Sequence, residues 1–139
     1  MNKYVIDHGG DMALKFSGSD MSALLSDAVK AFSEAVGAPD DNPGAFRSIR
    51  VEATDYEELA VTFLNELIFL LESQMFLASE ASVEYRENEK QWHEAEATLT
   101  GWVLNQGQEV RALPKSATYH NLQVQRRGEI WTAKVVMDL

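Results

Sequence analysis

The most constraining feature of the sequence is an apolar helical segment between residues 55 and 73. Its apolar side chains cover more than half of a helical circumference, which is typical of a helix buried on most sides. They are Leu59, Phe63, Leu64, Leu67, Ile68, Leu70 and Leu71. We expect Thr54-Asp55-Tyr56-Glu57 to begin this helix as a capping box. A helix this apolar must be surrounded by other elements of the fold.

The remaining chain predicts those elements. A second helix should begin after an N-cap at Ser19 or Asp20 and end at Gly37. Alternation of apolar and polar residues predicts short strands at 5–6, 12–16, 46–53, 81–85, 92–101, 119–125 and 129–137. Met12, Met75 and the tryptophans are expected to fill the core. The pattern predicts an α+β fold in one domain, residues 1–139, with two helices packed on a mostly antiparallel sheet.

Composition and charge exclude several classes of function. The chain has no cysteine, which rules out a disulfide scaffold, a thiolate metal site and a cysteine nucleophile. It carries 12 basic against 22 acidic residues, a net charge of −10. Unspecific nucleic-acid binding depends on basic side chains that neutralise phosphates, so strong direct RNA binding is not expected. An acidic surface suits a basic protein partner instead.

Location follows from a similar exclusion. The N-terminal residues lack a basic stretch followed by an apolar run, and the longest apolar stretch is too short and too polar for a membrane span. We therefore expect a cytoplasmic protein that does not contact a membrane.

Two ends of the chain carry candidate ligands for a cation. The segment Asp7-His8-Gly9-Gly10-Asp11 places two carboxylates and an imidazole in one short link. The last predicted strand ends at Asp138 and Leu139, which add a side-chain carboxylate and a terminal carboxylate. Oxygen ligands of this kind favour calcium or magnesium over zinc. Taken alone, the first segment is more typical of a simple turn and the second of a frayed end.

Other polar residues have weaker signals. Asn65 and Glu66 interrupt the buried helix and need partners, so we expect them to anchor a neighbouring segment or to line a pocket. The histidines His8, His93 and His120 are dispersed and do not predict a zinc site. The common catalytic templates do not occur, and no catalytic residue is assigned.

Four segments in this order resemble the archease family, and the similarity spans essentially the whole chain. Residues 7–11 are similar to its Asp-His-Thr-Ala-Asp motif, and residues 63–70 to its Leu-Asn-Glu-Leu helix. Residues 115–120 are similar to its Lys-Ala-Val-Thr-Tyr-His segment, and residues 122–124 with 138–139 to its last strands. Gly9-Gly10 replaces the family's Thr-Ala, which removes a hydroxyl group and loosens the turn.

The resemblance implies a function as a protein cofactor rather than an enzyme. Archeases are small α+β proteins that activate an RtcB-type RNA ligase in tRNA splicing and RNA repair, by promoting its guanylylation and its multiple turnover. Some are described as chaperone-like modulators of a tRNA methyltransferase. Other interpretations are a metal-dependent hydrolase that uses Asp11 and His8, and a family member that keeps the fold without activity.

The resemblance also implies the residues of a site. Family members bind a divalent cation such as calcium, and the ligands carried over to this chain are Asp11, Asp138 and Leu139. Lys115 lies at a family position tied to ligase activation. Three further side chains are expected to surround the ligands, namely Asp7, His8 and His120.

Overall fold

The computed structural model describes residues 3–6, 10–105 and 110–139, and this part of the chain forms seven strands and two helices. In chain order they are β1 (Tyr4–Ile6), β2 (Asp11–Gly18), α1 (Met21–Val36), β3 (Ala45–Ala53), α2 (Tyr56–Gln74), β4 (Phe76–Glu87), β5 (His93–Val103), β6 (Ser116–Arg127) and β7 (Ile130–Asp138). The predicted α+β class is confirmed.

The strands form two sheets where the sequence predicted one. The four-stranded sheet has the order β1-β2-β7-β6, the three-stranded sheet has the order β3-β5-β4, and every pairing is antiparallel. Helix α1 contacts β2 and β4, and α2 contacts β3 and β6, so each helix packs against both sheets. A helix that is apolar on most sides needs more than one apolar face, and the second sheet supplies it.

Helix α1 begins and ends as its sequence predicts. The Asp20 carboxylate accepts a hydrogen bond from the Ala23 N–H at 2.7 Å, which selects Asp20 rather than Ser19 as the N-cap. Gly37 ends the helix at φ 98°, in the left-handed region that favours glycine. The N-cap also fixes how β2 turns into the helix.

Helix α2 is capped one residue later than predicted. Asp55 accepts from the Glu58 N–H at 2.7 Å, and Glu58 in turn accepts from the Thr54 N–H at 3.1 Å. The predicted box assigned these roles to Thr54 and Glu57, and this was wrong because the helix begins at Tyr56. The core prediction was also wrong for Met75, which is 45% exposed at the C-terminal cap with φ 55°.

The interior is apolar, as the alternation predicted. Met12, Leu14 and Phe16 of β2 face the helices, as do Ala133, Val135 and Met137 of β7. The intervening residues of both strands therefore lie on the opposite, outer face of the four-stranded sheet. Within the described residues, no helix is long and apolar enough to cross a membrane.

Candidate functional site

Strand register brings the predicted ligands from the two ends of the chain together. Asp11 opens β2 and lies directly opposite Asp138, the last residue of β7. On the other side of β7, Ser116 of β6 also lies opposite Asp138, and its hydroxyl donates to Asp138 Oδ2 at 3.3 Å. Asp11, Asp138 and Ser116 thus form one row across three strands, which we call the carboxylate row. Its Ser116 member was not foreseen, because the register of β6 cannot be read from one strand.

Two backbone hydrogen bonds tie neighbouring residues to this row. The Lys115 N–H donates to the Asp138 carbonyl at 2.8 Å, and the Leu139 N–H donates to the Gly10 carbonyl at 3.3 Å. Lys115 is exposed, and Leu139 is half-buried. The structure therefore brings Asp11, Lys115, Asp138 and Leu139 to one end of the four-stranded sheet.

The residue before Asp11, Gly10, has a backbone conformation that favours glycine. Its φ of 88° lies in the left-handed region, although a Cβ atom added there would meet no other atom within 4 Å. Glycine is therefore favoured by backbone conformation rather than by crowding. The predictions for Asp7, His8 and Gly9 lie outside the described residues.

Asn65 of helix α2 anchors the start of β6. Its side-chain oxygen accepts a hydrogen bond from the Ala117 N–H at 2.8 Å. Ala117 is buried and follows Ser116 directly, so α2 holds the strand at the point where it joins the carboxylate row. The prediction that Asn65 anchors a neighbouring segment is confirmed.

The described histidines are engaged elsewhere. His120 is exposed in an irregular stretch of β6 between Thr118 and Gln123, where its ring lies 3.2 Å from the Asn121 amide nitrogen. His93 lies 2.5 Å from the Tyr85 hydroxyl, between Nδ1 and Oη. Burial raises the pKa of Tyr85, whose phenol therefore stays protonated. In the contacts of the described residues, neither imidazole reaches the carboxylate row.

The donor set at the carboxylate row suits a hard cation with an incomplete protein shell. Two carboxylates of like charge lie directly opposite each other, an arrangement that destabilises a sheet unless a cation balances it. Both donors are oxygen, the ligand type of calcium and magnesium. The described residues contain no group of three or more His, Asp or Glu side chains that could hold a metal ion.

Fold and site together define a small α+β protein with two helices between two antiparallel sheets and a carboxylate row at one sheet end. Residues 4–139 match the model of the Archease protein family (MTH1598/TM1083), and the chain belongs to this family. It is similar to the protein archease of Archaeoglobus fulgidus, with 30% identity over 136 residues and 96% of each chain covered. For the protein archease of Methanosarcina barkeri the identity is 25%, with 96% and 93% covered.

Solved structures share the fold. The solution structure of Methanobacterium thermoautotrophicum protein 1598 superposes with a TM-score of 0.84 at 22% identity, and both chains are covered completely. A crystal structure of an archease, described as a possible chaperone, from Thermotoga maritima has a TM-score of 0.63 at 21% identity, with 97% and 95% covered. These likenesses extend the fold across distant sequences.

Proposed function

We propose that this chain is a cytoplasmic accessory protein that activates an RtcB-type RNA ligase in tRNA splicing or RNA repair, and that it is not itself the catalyst. It promotes guanylylation of the ligase and its return for further rounds of ligation. The observation that carries the proposal is the position of Lys115, whose backbone is bonded to Asp138 beside Asp11. A cationic side chain next to a cation site suits a tip that enters a nucleotide-binding active site.

Three residues would hold the cation of this proposal. Asp11 and Asp138 contribute carboxylates, and Leu139 contributes backbone oxygen. Calcium is the first choice and magnesium the second, because calcium accepts oxygen ligands in a flexible geometry. A bound divalent ion supplies positive charge that balances the two carboxylates. With the repulsion removed, β2 and β7 stay paired as far as Asp11 and Asp138, and Lys115 keeps a fixed position.

Lys115 has the chemistry for the activating role. It lies outside the ladder, one residue before β6, and its side chain is exposed. Its backbone N–H is bonded to Asp138 and the following strand is anchored by Asn65, so the base of the side chain is rigid. A lysine ammonium is a compact charge that binds phosphate oxygens well. We assign it to contact a phosphate of the nucleotide that the ligase uses.

Multiple-turnover RNA ligation by the cognate ligase, with this protein below stoichiometric amounts, tests the proposal. The variants are Asp11→Asn, Asp138→Asn and Lys115→Gln, with Asp40→Asn in an exposed loop as the matched carboxylate control. Calcium binding is followed in parallel by calorimetry. We expect both aspartate variants to lose activation together with cation affinity, by about 10–100-fold or more in affinity. Lys115→Gln should lose activation while it still binds calcium.

The outcomes separate the parts of the proposal. Full activation by Asp11→Asn after its calcium binding is lost would show that the cation has no role. Absence of activation by the unaltered protein, with an active ligase, would exclude the ligase as client and favour a chaperone-like role toward another enzyme, such as a tRNA methyltransferase. Turnover of phosphoesters by the isolated protein would instead support the hydrolase alternative.

A further inference from the structure

A second row of residues, three lysines and one glutamine, crosses the outer face of the four-stranded sheet. Lys15 of β2 lies opposite Lys134 of β7, and Gln123 of β6 lies opposite Lys134 on its other side. The Lys15 N–H donates to the Lys3 carbonyl at 2.7 Å, which places Lys3 next to Lys15 just before β1. We call these four residues the lysine row. It lies four residues along β2 from Asp11, about 13 Å at the rise of a strand.

The charges of the lysine row are unevenly compensated. Lys3 is paired with Asp27 of α1, with Nζ to carboxylate oxygen distances of 2.7 and 2.9 Å. Asp27 also accepts from the Ser17 N–H at 2.9 Å, so its charge is already engaged. Among the described residues, Lys15 and Lys134 take part in no ion pair. Within the part of the chain that the structure describes, two positive charges without an ion-pair partner therefore lie side by side, although the net charge of the chain is −10.

The two lysines line an open groove of about 650 Å³ whose walls are partly apolar. Its lining also includes the polar residues Ser17, Thr132 and Gln123, the apolar residues Phe16 and Ala133, and the ion pair of Lys3 with Asp27. Side chains at directly opposed positions have Cβ atoms about 5 Å apart, which lets both ammonium groups reach one small ligand. The ammonium, hydroxyl and amide groups of this lining can donate hydrogen bonds, which suits an oxyanion.

We propose that Lys15 and Lys134 form a binding site for phosphate groups, with Ser17, Thr132 and Gln123 as additional donors. A phosphate monoester carries between about one and a half and two negative charges at neutral pH, which matches two lysines, whereas a carboxylate or a single phosphodiester of a nucleic-acid backbone carries one. The like-charged pair costs stability in the free protein, and a bound phosphate reverses that cost. The proposal goes beyond ligase activation and does not depend on it.

NMR titration of backbone amides tests the site in the whole protein. The probes are inorganic pyrophosphate, a ribonucleoside triphosphate and a short single-stranded RNA, which distinguish free phosphate from a nucleic-acid backbone. The variant is Lys15→Gln with Lys134→Gln, and the control is Lys30→Gln with Lys90→Gln, which changes the net charge equally. We expect shifts along β2 and β7 in the unaltered protein and in the control, and about a tenfold loss of affinity or more in the variant.

Salt dependence adds a second readout. If the RNA strand is the ligand, two lysine contacts should give a slope of about −1.4 for log affinity against log salt. If only pyrophosphate and the nucleotide bind, the site takes a free phosphate ligand. The proposal is wrong if no probe binds at low salt, if the control loses as much affinity as the variant, or if an oligoglutamate peptide binds as tightly as the phosphate probes.

Discussion

The outer faces of the two sheets differ in whether neighbouring opposite charges balance the like charges that face each other across strands. On the three-stranded sheet, Glu94 is only 3% exposed and accepts from Arg50 Nε at 2.7 Å and from Arg86 Nη2 at 2.9 Å. Both arginines also reach Glu96, within 3.9 and 3.4 Å. Like charges are opposed on this sheet as well, at Glu52–Glu94 and Glu84–Glu96, but the arginines balance them. On the four-stranded sheet, Asp11 faces Asp138 and Lys15 faces Lys134, and no ion pair of the described residues balances either pair.

This difference indicates which charges contribute to the stability of the fold and which could bind a ligand. Charges that are paired within a sheet have partners whether or not a ligand is present, and they contribute to the folded state. Opposed like charges cost a sheet stability unless a neighbouring opposite charge, an ion or a partner balances them. We infer that the three-stranded sheet carries structural charges and that the four-stranded sheet carries the binding surface. On this view the binding surface must owe its rigidity to uncharged contacts.

The largest effect should come from the uncharged anchor beneath the carboxylate row. Asn65→Ala removes the acceptor of the Ala117 N–H, and Ala117 is buried. An unpaired buried donor costs about 1–3 kcal/mol, so the free energy of unfolding should fall by that amount in urea denaturation. Exchange of the Ala117 amide should accelerate, and ligase activation should weaken because Lys115 loses its fixed base.

Asn42→Ala in the exposed loop before β3 is the matched control and should change neither property. If Asn65→Ala leaves amide exchange at Ala117 unchanged, the helix does not hold the start of β6. The rigidity of the carboxylate row would then have to come from the Lys115 and Leu139 backbone bonds alone.

A smaller effect should appear in acid for the three-stranded sheet. The hydrogen bond from Arg50 lowers the pKa of Glu94, despite an opposing contribution from burial. A pKa lowered on folding adds stability above the unfolded value of about 4.3, and this stability is lost as pH falls through the folded pKa. Glu94→Gln should therefore be less stable than the unaltered protein at neutral pH and converge with it in acid. Glu80→Gln, an exposed glutamate of β4 that lies opposite Thr100, is the control. Parallel stability curves for Glu94→Gln and the unaltered protein would show that the arginines do not stabilise the carboxylate.

Local sequence patterns predicted the elements, and long-range pairing decided what they could not. Apolar spacing and capping residues were sufficient for α1, whose boundaries follow from Asp20 and Gly37. The end of α2 at Gln74 lies one residue from the predicted end at residue 73, but its cap was not predictable, because Met75 adopts a left-handed conformation that methionine does not favour. The sequence pattern also did not predict the division into two sheets. Alternation of apolar and polar residues shows that a strand exists but not which strand it pairs with.

The residues of the candidate sites also differ in whether the sequence alone could predict them. Asp11, Asp138, Leu139 and Lys115 were proposed from residue type and family resemblance, and the register places them at one sheet end. The lysine row gave no signal, because Lys15 and Lys134 are ordinary outward residues of two strands separated by most of the chain. Only pairing of β2 with β7 makes them neighbours.

The smallest effect is the one that most directly tests the comparison between the two faces. In the absence of divalent ions, Asp138→Asn should raise the free energy of unfolding by about 0.2–1 kcal/mol, because it removes the repulsion from Asp11. Lys134→Gln should also raise the free energy of unfolding, because it removes the repulsion from Lys15. Glu96→Gln on the other sheet should lower it. Salt should shrink all three differences in stability, since exposed charges are screened.

Denaturation in the presence of a chelator and then of calcium measures these differences. Calcium should stabilise the unaltered protein but not Asp138→Asn. A loss of stability in Asp138→Asn without calcium would mean that its contact with Ser116 outweighs the repulsion, and that the carboxylate row is a structural feature like the arginine and glutamate residues of the other sheet.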